Sequence, residues 1–194
     1  MSCLGAILIL ISYAVLKDIR KGAQTIITVL ALADLVYSIS LIVAGINYFA
    51  YYKETEPENC EVYQVICKIQ GFVTLLGSWS TFVWTSALAF YFFMLYVFNA
   101  ASLAMKLMPL YNLLAWGIPV TIALTLLILD KLGLYPGWLV CCTKPDGSSG
   151  ENVLLLLLGG WFPELISCVF VSILYTVVGV HICRQVNCMW FFIL

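Results

Sequence analysis

The chain has 194 residues, of which 63% are hydrophobic and only 10% are charged, and its formal net charge is −1 at pH 7. Soluble domains carry about 25% charged residues, so this composition predicts a membrane protein. A near-neutral charge without a basic patch also excludes a nucleic-acid partner.

Five stretches of the chain are apolar for long enough to cross, or nearly cross, a bilayer. A spanning helix needs about 20 apolar residues to cover a hydrocarbon core of roughly 30 Å, and the alternating pattern of barrel strands is absent. We therefore predict an all-α membrane protein whose helices cover residues 3–16, 23–49, 69–98, 110–129 and 153–180.

The connections between these helices predict how the chain is oriented. The first connection, KDIRK, is basic, whereas the second carries four glutamates between residues 54 and 61. Lys and Arg in short loops are retained on the cytoplasmic side of a membrane. The N-terminus is therefore predicted outside and the C-terminus inside, in a multi-pass protein.

Both ends of the chain differ from what a complete helical bundle would show. The first apolar run rises only about 21 Å at 1.5 Å per residue, so we expect that residues are missing before it. After Arg184 the chain ends in a short apolar stub. We expect residues 1–185 to form a partial membrane domain and residues 186–194 to lie outside it.

Four of the eight cysteines fall on the side predicted to be extracellular, where disulfides persist. Cys67 lies at the outer mouth of the third predicted helix, and Cys141 and Cys142 lie in the loop after the fourth. A bridge from Cys67 to either of that pair would hold the loop over the bundle, and Cys60 could take the other cysteine or stay free. With a single histidine and no CxxC spacing, the chain offers no metal site.

Asp34 is a carboxylate predicted to lie inside the membrane, near the cytoplasmic half of the second helix. An intramembrane charge is costly enough to need a reason. We expect Asp34 to face the bundle as a polar hub and to hydrogen-bond with Ser38, Ser78 or Ser80. The alternative is a protonated carboxyl that only holds helices together.

Glu164 is the second intramembrane carboxylate, and it directly follows Pro163 in the outer half of the fifth predicted helix. Proline frees a backbone carbonyl from its helical partner, which suits a ligand pocket or a water-filled cavity. An acid paired with a neighbouring group is the alternative. In the WGIP segment around Trp116, Gly117 permits close helix approach and Pro119 predicts a kink.

Five segments in order resemble the cAMP-receptor-like group of G-protein-coupled receptors, and within it the orphan receptor 157 subgroup. They are LALADLVY, CKIQGF leading to FVWTSALAFYFF, LAWGIPV, PGW followed by cysteines, and ELISCVFVSILY ending in HICR. The segment LYVFNA lacks the Asp-Arg-Tyr motif of rhodopsin-type receptors, which argues against that class.

The resemblance implies a seven-transmembrane receptor, here truncated after its fifth helix, that transmits an extracellular signal to a heterotrimeric G protein. It implies a bridge between Cys67 and Cys141 or Cys142, a polar hub at Asp34, and bundle or ligand-pocket positions at Trp84, Trp116 and Glu164. The implied location is the plasma membrane, which leaves open the ciliary membrane.

The partners that follow are the lipid bilayer, an unknown extracellular ligand and, for a full-length form, the G protein. The family opens its G-protein cleft largely by moving the sixth helix, so we expect this chain not to signal alone. A dimer with intact receptor is one role that would remain.

A small transporter or channel subunit that assembles a pore by oligomerising is the alternative function. The lack of an internal repeat and of paired broken helices disfavours it. Enzymatic activity has no support, because HExxH, GxSxG and phosphate-loop motifs are absent, and no cofactor is implied.

Overall fold

The computed structural model describes residues 2–15, 22–52, 61–134, 140–144 and 161–193. Most of these residues are helical, as expected of a backbone that must satisfy its own hydrogen bonds in hydrocarbon. The helices are α1 (Ser2–Val15), α2 (Ala23–Asn47), α3 (Glu61–Tyr96), α4 (Ala101–Lys106), α5 (Met108–Asn112), α6 (Ile118–Ile128) and α7 (Phe162–Ile193). Two π-helical segments, Tyr48–Tyr52 and Leu113–Gly117, extend α2 and join α5 to α6.

The all-α membrane fold is confirmed. Within the described residues, four helical stretches are long and apolar enough to cross a membrane, and α1 is apolar but shorter. The four stretches are Ala23–Ala50, Val62–Tyr96, Met108–Ile128 and Phe162–Gln185. Three predicted features lie outside the described residues: the KDIRK connection, the glutamate-rich connection and the predicted start of the fifth helix at residue 153.

Two helix boundaries differ from the predicted ones by more than a few residues. The third helix begins at Glu61 rather than at residue 69, so Cys67 lies within α3 and not before it. The last helix runs on to Ile193 instead of ending at residue 180. Both extensions contain polar residues, which an apolar-run criterion excludes although a helix continues readily through them at the ends of a span.

Helix α3 is the centre of the bundle. It packs against α2 on one side, α7 on another and the α5–α6 stretch on a third, while α1 packs against α2. Helices α2 and α3 approach closely at Gly77, where a β-carbon would lie 2.9 Å from the backbone of Tyr37. The absence of a side chain at Gly77 is therefore what lets these two helices meet.

A short β-hairpin covers one end of α3. Strands β1 (Leu132–Leu134) and β2 (Cys141–Thr143) pair in antiparallel fashion, with Gly133 opposite Cys142 and Leu134 opposite Cys141. The sequence analysis predicted only a loop here, because three residues per strand are too few to show the alternation that identifies a strand.

Candidate functional site

A disulfide joins the hairpin to α3. Cys67 and Cys141 are bonded, with α-carbons 5.4 Å apart, and both are 2% exposed. Tyr63, one turn before Cys67, is buried in the same small cluster. Successive residues of a strand point to opposite faces, so Cys142 faces away from the bridge and is free. The structure thereby selects Cys141 from the pair that the sequence left open.

Gln70 extends this attachment by hydrogen bonds. Its side-chain oxygen, Oε1, accepts from the backbone N–H of Cys141 at 3.0 Å, and its Nε2 donates to the Thr74 hydroxyl at 3.1 Å. The hydroxyls of Thr74 and Ser40 lie 2.6 Å apart, so the chain of contacts continues into α2. Gln70 is only 3% exposed. The hairpin is therefore linked to both α2 and α3 through one buried amide.

Sequence reasoning missed Gln70 as a functional residue, although it stands in the CKIQGF segment. A signal was available. Glutamine within a predicted span has two polar groups that must find partners, because hydrocarbon offers none. Its position three residues after Cys67 places it on nearly the same helix face as the disulfide.

Asp34 hydrogen-bonds with α3, but not through the serines that the sequence suggested. The Thr81 hydroxyl donates to Asp34 Oδ1 at 3.1 Å. Ser78 instead donates to the carbonyl of its own helix at Leu75. The physical reason is helical phase: residues 70, 74, 77 and 81 follow one another at three- and four-residue steps along the face of α3 that meets α2.

Ser80 points to another neighbour and bonds the kinked stretch between α5 and α6. Its hydroxyl donates to the backbone oxygen of Ala115 at 2.6 Å. In a regular helix that oxygen would accept from the N–H of residue 119, but Pro119 has none. Ser80 therefore supplies the donor that the proline removes. This contact explains why the WGIP segment sits against α3.

Trp84 and Trp116 lie together in one apolar core. Trp84 is fully buried, in a cluster that includes Ile26, Tyr111 and Ala115, and Trp116 packs against the outside of that cluster. The two tryptophans thus contribute to the same core between α3 and the α5–α6 stretch.

Glu164 lies in the first turn of α7, and its side chain is exposed. It interacts electrostatically with Tyr37 of α2. One turn later, Ser167 donates to the carbonyl of Phe82 at 3.1 Å and lies 3.0 Å from the Ser86 hydroxyl. This register puts Glu164 near the level of Thr81, and so near the depth of Asp34, whereas the sequence analysis assigned the two carboxylates to opposite halves of the membrane.

An ion pair adds to the hairpin end of the bundle. Lys68 Nζ lies 2.5 Å from Asp130 Oδ1, just before β1. The hydrogen bond and the positive charge of Lys68 hold the pKa of Asp130 below its ordinary value. Nearby, burial raises the pKa of the Cys142 thiol, which disfavours the reactive thiolate. Within the described residues, no three His, Cys, Asp or Glu side chains gather into a group that could hold a metal ion.

Comparison with known proteins gives a family match over most of the chain. The profile of the 7 transmembrane receptor (Secretin family) matches residues 1–141. The human G-protein coupled receptor 157 is 28% identical over 190 residues, which cover 95% of this chain and 52% of that protein. The mouse protein of the same name is 27% identical over 190 residues, covering 95% and 53%.

A more distant relative is the Cyclic AMP receptor-like protein A of Dictyostelium discoideum. It is 26% identical over 157 residues, which cover 81% of this chain and 37% of that protein. The resemblance drawn from the five segments is therefore confirmed. The chain spans about half the length of the curated relatives named first.

Proposed function

The chain belongs to the secretin family of seven-transmembrane receptors. We propose that it forms part of a receptor that transmits an extracellular signal to a heterotrimeric G protein. The observation that carries this proposal is the double attachment of the hairpin to α3, by the Cys67–Cys141 bond and by Gln70. A ligand that moves the hairpin would act directly on the helix that contacts the rest of the bundle.

The mechanism is a shift between two arrangements of the helices. A ligand favours the arrangement that it binds more tightly, and the shift cannot exceed that difference in affinity. Helix α3 meets α2 through Asp34 and Thr81, the α5–α6 stretch through Ser80, and α7 through Ser86. A displacement of α3 would therefore reach each of these neighbours.

The individual residues have different roles in this proposal. Asp34 is the polar hub between α2 and α3, because it accepts a hydrogen bond from Thr81. Trp84 and Trp116 hold the core of α3 and the α5–α6 stretch. Glu164 is exposed, so it is the residue of this group that a ligand with a positive charge could reach.

The proposed setting is the plasma membrane, with the ciliary membrane as a special case and the N-terminus outside. An epitope tag at the N-terminus tests the orientation. Antibody should stain it on intact cells, whereas a C-terminal tag should stain only after permeabilisation. The reverse pattern would contradict the proposed orientation.

The signalling proposal is tested with a chimera in which this chain replaces the aligned half of human G-protein coupled receptor 157. Energy transfer between labelled Gα and Gβγ subunits reports G-protein activation. At equal surface display, the chimera should keep the basal activation of its parent, and a chimera with Cys67→Ala should lose most of it. A displayed chimera that activates none of the Gα classes to which its parent couples would refute the proposal.

Dimerisation with an intact receptor is tested separately, by co-expressing the 194-residue chain with the full-length relative. A regulatory partner should change the relative's G-protein signal in proportion to the amount of chain expressed. The family assignment favours the receptor over the transporter or channel subunit. The same cells distinguish the two, because a pore-forming protein would give an ion or solute flux and no change in G-protein activation.

A further inference from the structure

Two polar groups in the apolar core of α3 and α5 are buried without partners. Trp84 is fully buried and Tyr111 is 9% exposed. Among the described residues, neither Nε1 of Trp84 nor the hydroxyl of Tyr111 has a hydrogen-bond partner. Buried polar groups are almost always hydrogen-bonded, so two unpaired groups in one cluster require an explanation.

The two residues lie at the same level of the contact between α3 and the α5–α6 stretch. Ser80 of α3 bonds Ala115, which fixes the antiparallel register between α3 and the α5–α6 stretch. Trp84 lies four residues after Ser80, and Tyr111 lies four residues before Ala115. One turn from the fixed contact, Trp84 and Tyr111 therefore stand at the same level, and they belong to the same buried cluster.

The rest of that cluster cannot supply the missing partners. Its other buried members are aliphatic except for Tyr91. The Tyr91 hydroxyl is directed to the backbone at Gly22, where it would lie 2.5 Å from an added β-carbon. The apolar cluster itself thus offers no partner to the polar groups of Trp84 and Tyr111.

We propose that Trp84 and Tyr111 hold one ordered water molecule between α3 and α5. An indole N–H can only donate, while a phenolic hydroxyl can donate or accept. A water accepts from Trp84 and pairs with Tyr111 in either sense, which satisfies both groups at once. Buried waters usually make about three hydrogen bonds to such otherwise unpaired groups. The site takes a hydrogen-bonding molecule of water size and does not depend on the receptor proposal.

Hydroxyl-radical footprinting by X-ray pulses tests the water directly, with the full 194-residue chain in nanodiscs. A bound water generates radicals in place and oxidises side chains that bulk solvent cannot reach. Mass spectrometry should find Trp84 and Tyr111 oxidised several-fold more than Tyr91, which is equally buried. In Tyr111→Phe, which keeps the ring, the oxidation of Trp84 should fall to the level of Tyr91.

Matched variants separate the explanations. Tyr91→Phe removes a phenol from the same cluster and should leave the oxidation of Trp84 unchanged. Trp84→Phe should lower the oxidation of Tyr111, and if that variant does not fold, the Tyr111→Phe result decides alone. Protection of both residues in the native chain would mean a dry contact and overturn the proposal. Oxidation of Trp84 that persists in Tyr111→Phe would mean access from bulk solvent and also overturn it.

Discussion

Replacing Gln70 by leucine tests whether one buried amide holds the hairpin to the bundle. Leucine keeps most of the volume and removes both polar groups. The N–H of Cys141 then loses its acceptor at 3.0 Å, and Thr74 loses a donor at 3.1 Å. The disulfide remains, so the hairpin stays attached at one point and only the hydrogen-bonded attachment is lost.

The expected cost follows from these two bonds. Leaving a buried backbone donor unpaired costs about 1–3 kcal/mol. The lost side-chain bond to Thr74 adds about 0.6 kcal/mol, the average for hydrogen bonds between groups inside membranes, and the apolar leucine offsets part of the sum. We therefore expect Gln70→Leu to lower the free energy of unfolding by about 1–3 kcal/mol.

Two measurements check this prediction. Equilibrium unfolding in mixed SDS and detergent micelles gives the change in free energy. Hydrogen–deuterium exchange of the peptide containing Cys141 should become roughly 5- to 150-fold faster, since 1.4 kcal/mol corresponds to a factor of ten. Gln185→Leu is the matched control, because Gln185 is exposed and its contact with His181 lies within α7.

Gln70 does not hold the hairpin to the bundle if Gln70→Leu and Gln185→Leu both stay within about 0.5 kcal/mol of the native chain, the usual range of surface substitutions. The same conclusion follows if Gln70→Leu lowers stability while the exchange at Cys141 is unchanged. In that case the cost would come from packing within α3 and not from release of the hairpin.

Three further predictions follow from the same end of the bundle and from the α2–α3 contact. Cys67→Ala removes a disulfide between residues 74 positions apart, and by the chain-entropy relation it should lower the free energy of unfolding by at most about 4.5 kcal/mol. Cys142→Ala should leave the free energy of unfolding unchanged. Gly77→Ala forces a β-carbon to 2.9 Å from the backbone of α2 and should cost about 1–3 kcal/mol, while Gly179→Ala, with nothing within 4 Å, should cost nothing in the same assay. The pKa of Asp130 is lowered in the folded chain, so its contribution to the free energy of unfolding is present above the ordinary carboxyl pKa and is lost as the pH falls through the folded value. Asp130→Asn should remove this acid dependence when unfolding is measured from pH 6 to pH 2.

The helices could be predicted from the sequence because length and hydrophobicity alone identify a spanning segment. Which face of each helix meets its neighbour could not. In water the apolar stripe of a helix marks the buried side, but in a bilayer every face is apolar, so the sequence does not show that Thr81 rather than Ser78 or Ser80 faces Asp34. The phase of α3 became clear only from its contacts.

The candidate site was predictable where the chemistry is strong and covalent, and less so where it depends on neutral groups. Cys67 was assigned to a bridge because cysteines on an oxidising face have one common use. Gln70 was overlooked, since a single glutamine in a span is equally compatible with a local bond inside its own helix. Ser80 was one of three serines suggested for Asp34, but it donates to the carbonyl that Pro119 frees at Ala115, and the sequence does not show that this carbonyl lies against α3.

The contacts of α3 differ in strength along its length, and this gradient bears on how the bundle can move. At the hairpin end α3 is joined covalently through Cys67. Further along, its links to other helices include hydrogen bonds of Thr74, Thr81, Ser80 and Ser86. At about 0.6 kcal/mol each, these four bonds are worth about 2–3 kcal/mol together, which is comparable to the free-energy difference between two populated conformations of a protein. A rearrangement that keeps the hairpin end fixed and exchanges hydroxyl partners along α3 therefore has a free-energy cost within this range. A rearrangement that displaces Cys67 from Cys141 would have to break a covalent bond. The rearrangement that keeps the hairpin end fixed would tilt α3 about its bridged end, with the largest displacement at the end farthest from the disulfide.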